Sequence, residues 1–147
     1  MTVPDDIEAR ILEKASYVEE AISVLASKRK LDKQTYLDDR EQRAIVEREY
    51  QTAIEACLDI AGLLIRTVDR DAPDTYAERF AILNDADVLS AETSGKMQRA
   101  AGFRNILVHQ YGNDIDDTEG FEHLQTELTW IVRFLREVKE YMEGKAE

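Results

Sequence analysis

Apolar residues recur at steps of three and four along most of this chain, a period that predicts helices. Five helical segments can be read. The first, about Asp5 to Ser27, sets Ile7, Ile11, Ala15, Val18, Ile22 and Leu25 on one stripe. Lys28-Arg29-Lys30 closes it, where cations suit the negative end of the helix dipole. The second, about Lys33 to Val68, is apolar on two faces: Ile54, Cys57, Ala61, Leu64 and Val68 form one, Leu58 and Ile65 the other. That pattern predicts a central helix. Its charged first half (Asp38-Asp39-Arg40-Glu41 and Glu47-Arg48-Glu49) predicts an end that reaches solvent or a partner. Pro73 cannot continue a helix, and Thr75-x-x-Glu78 reads as the capping box of a short third helix carrying Tyr76, Phe80 and Leu83. Ser90 caps a fourth, with Met97, Ala100 and Ala101, and Gly112-Asn113-Asp114 ends it. Asp116-x-x-Glu119 opens a fifth, where Leu124, Leu128, Ile131, Leu135, Val138 and Met142 keep helical spacing. Helices joined by short loops imply an all-α fold, an antiparallel four- to five-helix bundle. No repeat, low-complexity stretch or linker divides it, so residues 1–147 read as one domain.

Composition changes this picture in three ways. The single Cys57 rules out an intramolecular disulfide or a Cys-based zinc site and points to a reducing compartment. No apolar run approaches the roughly 20 residues of a membrane span. The acidic start Met1-Thr2-Val3-Pro4-Asp5-Asp6 has no signal-peptide core, so the expectation is a cytoplasmic protein away from membranes. A net charge of −12, from 31 Asp+Glu against 19 Lys+Arg, argues against broad nonspecific binding to nucleic acid but allows a confined basic cleft. Such a place exists. From Ser94 to Asn113 there is no carboxylate, while Lys96, Arg99 and Arg104 are basic. An acidic chain that clears carboxylates from one window predicts an anion there, and phosphate fits best.

The window contains Arg104-Asn105-Ile106-Leu107-Val108-His109-Gln110-Tyr111. At about 100° per residue, Arg104 and His109 lie about 140° apart on one helix, while Asn105 and His109 share a face. One copy cannot easily aim both groups at one phosphate, whereas two fourth helices facing each other can. The spacing therefore favours a composite site in a homodimer. The residue types suit RNA cleavage without a metal or cofactor. His109 titrates near neutrality and can take a proton from a ribose 2′-hydroxyl or return one to the leaving 5′-oxygen. Arg104 offers a permanently charged planar fork to the phosphorane, Asn105 can orient the imidazole or the phosphate, and Lys96 and Arg99 can hold the RNA backbone. The same residues also admit a plain reading, in which Arg104 pairs with an acid on the second helix and His109 caps a helix end. Cys57 and Trp130 read as packing, and Lys28-Arg29-Lys30 as a helix end.

The string Phe103 to Tyr111, with Met97 and Gly102 before it, resembles the R-N-x-x-x-H-x-Y signature of HepT-type toxins in the HEPN superfamily. Ala53-Ile54-Glu55-Ala56-Cys57-Leu58-Asp59-Ile60-Ala61 in the second helix fits the same family. The resemblance runs from about Glu41 to the C-terminus. It implies a helical bundle that dimerises around a ribonuclease cleft acting on mRNA or tRNA. It also implies a minimal nucleotidyltransferase antitoxin that transfers AMP to the Tyr two residues after the His, here Tyr111. Gln110 stands where Gly is common in the family. The same resemblance allows a non-catalytic role, as a helical substrate-binding subunit of a nucleotidyltransferase.

Overall fold

The computed structural model describes residues 3–109 and 117–144; the side chain of His109 lies outside that set. Among the described residues seven helices follow one another: α1 (Asp5–Lys28), α2 (Lys33–Asp38), α3 (Arg40–Ile65), α4 (Tyr76–Asp85), α5 (Ala91–His109), α6 (Asp117–Thr126) and α7 (Leu128–Met142). The four long ones, α1, α3, α5 and α7, form a bundle, and α3 touches all six other helices. The two-faced apolar pattern of this segment had predicted a central position. Between α5 and α7 the pairs Ser90–Glu137, Glu92–Arg133 and Lys96–Trp130 run in opposite directions along the two helices, so that pair is antiparallel. No strand is present among the described residues, and none of their helices is long and apolar enough to cross a membrane.

Two expected helices are each broken once. Asp39 is extended (φ −104°, ψ 98°), ends α2, and accepts the Gln42 N–H at 3.2 Å as the N-cap of α3. Asp competes well for such caps because its short carboxylate satisfies an orphan N–H. The charged run Asp38-Asp39-Arg40-Glu41 is thus a junction, not a helix surface. Its charged neighbourhood faces inward in part, since Arg43 donates to the Leu37 carbonyl and reaches Asp117 at 3.4 Å. The second break, at Glu127, is milder: the Glu127 N–H still bonds the His123 carbonyl at 3.0 Å. Thr126 Oγ1 bonds the Glu122 carbonyl at 2.9 Å, a back-bond of the kind that bends helices.

The Thr75 box forms in a shifted version. Thr75 Oγ1 accepts the Glu78 N–H at 3.2 Å, while the Glu78 carboxylate reaches back to the N–H of Asp74, one residue before the cap, at 2.8 Å. Ser90 caps α5 as expected, accepting the Thr93 N–H at 3.2 Å. The stop at Gly112-Asn113-Asp114 and the Asp116 cap lie outside the described residues.

The core draws on the predicted stripes. Ile11, Val18 and Leu25 of α1 are buried, as are Ile54, Cys57, Leu58, Ala61 and Leu64 of α3, and Leu128, Ile131 and Val138 of α7. Tyr76 is the exception. It shares a helix with the buried Phe80 and Leu83, yet half its surface is exposed (50%). Phe134 of α7 is fully buried and meets Phe80 edge-on at 5.5 Å, joining α7 to α4. Phe134→Ala should therefore cost about 3–5 kcal/mol through lost burial and the cavity left behind, read from the urea midpoint. A shift below 1 kcal/mol would mean that this contact closes no real core.

Candidate active site

The candidate site depends on how α5 is held. At its head, the Glu137 carboxylate of α7 accepts the Ser90 N–H at 2.7 Å and the Thr93 hydroxyl. Buried Ser94 donates to the Phe80 carbonyl at 2.9 Å. Further along, Met97, Ala100, Ala101 and Phe103 are buried. Phe103 stacks on His123 of α6 (4.1 Å between centroids, 8° between planes) and meets Tyr50 of α3 edge-on at 5.4 Å. The residue next to Phe103 is Arg104, so aromatic packing fixes the backbone from which the guanidinium projects.

Arg104 points toward α3 and α4. Its Nη2 donates to Glu55 Oε1 of α3 at 2.7 Å, and its Nη1 donates to Asn105 Oδ1 at 3.1 Å. Glu55 also accepts from Gln51 Nε2 at 3.3 Å. The guanidinium carbon lies 5.7 Å from the centre of the Tyr76 ring, and Arg79 approaches the same ring at 4.9 Å. The pairing of Arg104 with an acid on the central helix, one of the two sequence readings, is present. It does not exhaust the group. A guanidinium carries five N–H donors, two of which go to Glu55 and Asn105, and Nε has no partner among the described residues.

The other cations of the carboxylate-free window face elsewhere. Lys96 lies 5.5 Å from the Trp130 ring on α7, and Arg99 borders the same small recess with His123 and Glu127. Around α5, Arg99 is about 140° from Arg104 and Lys96 about 80°, so the three do not share a face. The structure thus brings together Arg104, Asn105, Glu55 and Tyr76, and sets Lys96 and Arg99 beside Trp130. Glu55 and Tyr76 were not singled out from the sequence. Glu55 stands in the α3 segment that carries the family resemblance, whereas nothing in the spacing marks Tyr76. The backbone of α5 continues unbroken to His109, which keeps the expected offset from Arg104. The side chain of His109 and all of Tyr111 lie outside the described residues.

One face of α5 is lightly covered among the described residues. It runs through Gly95, Gln98, Gly102, Asn105 and His109, at steps of three and four. A Cβ placed on either glycine would meet nothing within 4 Å, and Gly102 and Asn105 are exposed. A glycine inside a helix costs about 1 kcal/mol relative to alanine. No contact among the described residues accounts for the absence of a side chain at either position.

Against Phe103 sits the other histidine. His123 Nδ1 is 3.3 Å from the Tyr50 hydroxyl, and Nε2 is 3.7 Å from Glu119. Burial holds its pKa below the ordinary 6.5, while the carboxylates of Glu119 and Glu127 pull the other way. Cys57, fully buried in apolar surroundings, has its thiol pKa pushed up and is core.

With this geometry in place, comparison with known proteins identifies the class. The ribonuclease HepT-like family matches residues 11–138, and the chain belongs to that family. A relative called tRNA nuclease HepT, from Aphanizomenon flos-aquae, is 29% identical over 107 residues, covering 73% of this chain and 72% of that one. The mRNA nuclease HepT of Shewanella oneidensis is 31% identical over 61 residues, 42% of this chain and 46% of that one. The fold is also that of the tri-AMPylated Shewanella oneidensis HEPN toxin solved in complex with its MNT antitoxin. That structure superposes with a TM-score of 0.81 at 22% identity, over 88% of this chain and 96% of that one.

The environment of His123 makes a prediction. Its folded-state pKa is depressed, so the unfolded chain takes up this proton at a higher pH than the folded chain. The contribution to stability is full above about pH 6.5, declines as pH falls through that value, and levels off below the folded pKa. An NMR titration should give His123 a midpoint below that of a free histidine, and His123→Gln should remove this part of the pH dependence. A midpoint above 6.5 would show the carboxylates outweighing burial.

Proposed function

We propose that this chain is an endoribonuclease toxin of a toxin–antitoxin system, a homodimer acting in the cytoplasm and cutting RNA without a metal. Family membership and the nuclease names of its relatives support the activity. The observation that carries the proposal is the lightly covered α5 face, whose two glycines let a second α5 approach closely. A partner there would bring the Asn105 and His109 positions of the two copies to a common seam, with the Arg104 of each copy on its flank. Two copies also supply two imidazoles. One takes the proton of the ribose 2′-hydroxyl as the 2′-oxygen bonds to phosphorus; the other gives a proton to the departing 5′-oxygen as its bond to phosphorus breaks. The products are a 2′,3′-cyclic phosphate and a 5′-hydroxyl. Arg104, braced by Glu55 and Asn105, neutralises the phosphorane between these steps, with Lys96 and Arg99 on the flanking backbone. The substrate class includes tRNA and mRNA, the two named for the relatives. Control comes from a nucleotidyltransferase antitoxin that adds AMP to Tyr111, in line with the AMPylated, antitoxin-bound structural neighbour. The added phosphate and adenosine occupy the place and the charge that RNA requires.

His109→Ala should lower the cleavage rate by about 10²- to 10⁴-fold, the usual worth of a positioned proton-transfer group. Arg104→Ala should be comparably damaging, and Arg104→Lys only a partial rescue, because the fork is lost. Cleavage by the wild type in excess EDTA, leaving cyclic phosphate ends, completes the expected result. Undiminished cleavage by His109→Ala would overturn the assignment, and dependence on a divalent metal would overturn the mechanism. Tyr111→Phe should cleave normally yet remain active when incubated with the transferase and ATP. Equal silencing of both forms, with no AMP mass on Tyr111 of the wild type, would remove Tyr111 from the control step.

A further inference from the structure

Tyr76 departs from the pattern of this chain. It is half exposed on a helix whose Phe80 and Leu83 are fully buried, and it stands where two guanidinium groups converge. Arg79 lies 4.9 Å and Arg104 5.7 Å from the ring centre. Both arginines are tethered inward to adjacent turns of α3: Arg79 donates to the Leu58 carbonyl at 2.9 Å, and Arg104 to Glu55 at 2.7 Å. Gly62 leaves room for the Arg79 head, since a Cβ there would lie 3.2 Å from its Nη1. Both cations thus reach the ring from side chains tethered to α3, and half of the tyrosine's surface stays exposed. The chain elsewhere is strongly acidic, with a net charge of −12. A cation-flanked aromatic surface beside the arginine assigned to phosphate has the two parts that single-stranded nucleic acid needs, a charge for the backbone and a flat apolar face for a base.

We infer that Tyr76 is a nucleobase-stacking platform that holds a base next to the cleaved phosphate. The substrate is then an unpaired RNA segment, such as a loop, bulge or end, because a base inside an A-form helix cannot be splayed onto a side chain. This inference rests on the ribonuclease reading of the Arg104 site and adds to it the conformation of the substrate. Arg79 is a positioning residue, setting the ring through its anchor on Leu58. Stacking of this kind tolerates any base, so Tyr76 selects strandedness rather than sequence.

The test uses the full-length chain and a 12-nucleotide 2′-O-methyl RNA carrying one 2-aminopurine; the methyl group removes the attacking hydroxyl, so binding is measured without cleavage. Wild type should bind the single strand and quench the fluorescent base, and should bind the same sequence in a perfect duplex much less. Tyr76→Phe should match wild type in affinity and quenching. Tyr76→Leu should lose roughly tenfold or more in affinity, from a stack typically worth 1–3 kcal/mol per base, and should lose the quenching while keeping its thermal melting point. If wild type binds and Tyr76→Leu binds and quenches equally, the platform is wrong and the nuclease reading stands. If wild type binds duplex as well as single strand, the inference fails in the same limited way. If wild type binds neither, both the platform and the RNA-directed reading fall.

Discussion

The close approach of α5 to α3 is the constraint on which the candidate site depends. Small side chains make it possible: Ala53 and Ala56 are buried within three residues of Glu55, and Ala100 and Ala101 within four of Arg104. Bulkier residues would push the helices apart and leave a gap that a short Glu carboxylate could not span. At 2.7 Å the Arg104–Glu55 pair is a direct hydrogen-bonded ion pair. Glu55 is half exposed, so the pair adds little to folding stability, about 0–1 kcal/mol for contacts of this type. Its effect is positional. It fixes the rotamer of a long side chain that would otherwise sample many, and leaves three N–H groups uncommitted among the described residues.

Polar contacts at the other end of α5 serve the same purpose. Helices are normally held by an apolar stripe, but α5 carries a narrow one, of Met97, Ala100, Ala101 and Phe103. Glu137, Ser90, Thr93 and Ser94 supply directional bonds that stop the helix from sliding or rotating. Phe103, stacked on the ring of His123, opposes rotation at the Arg104 end. Register matters more here than strength, because one residue of slip would turn Arg104 through about 100° and away from Glu55.

Much of the fold was legible in the chain. Helical period and the Thr75 and Ser90 caps placed α1, α4 and the start of α5 because apolar spacing and N-cap chemistry are local. The breaks at Asp39 and Glu127 escaped because an Asp in a charged run and a back-bonding Thr look the same inside a helix as at its bend. The site was half legible. Arg104, Asn105 and His109 stood out through the carboxylate-free window. Which acid would brace Arg104 was not readable, since any of many carboxylates could serve and only the α3–α5 packing selects Glu55. Tyr76 was not singled out for a related reason: period places it on its helix, but its approach to two guanidinium groups depends on tertiary packing.

The two glycines on the lightly covered α5 face bear on dosage. A helix that carries Gly95 and Gly102, with nothing among the described residues within 4 Å of a Cβ at either, forgoes about 2 kcal/mol relative to alanine, which packing against another surface would offset. If that surface is a second α5, the active species at low copy number scales with the square of the protein concentration. A cell making a few stray molecules would then carry mostly inert monomers, and harm would set in sharply once synthesis outran neutralisation. Under that reading the missing side chains would act as a threshold device, separating leaky expression from commitment without any additional regulatory part.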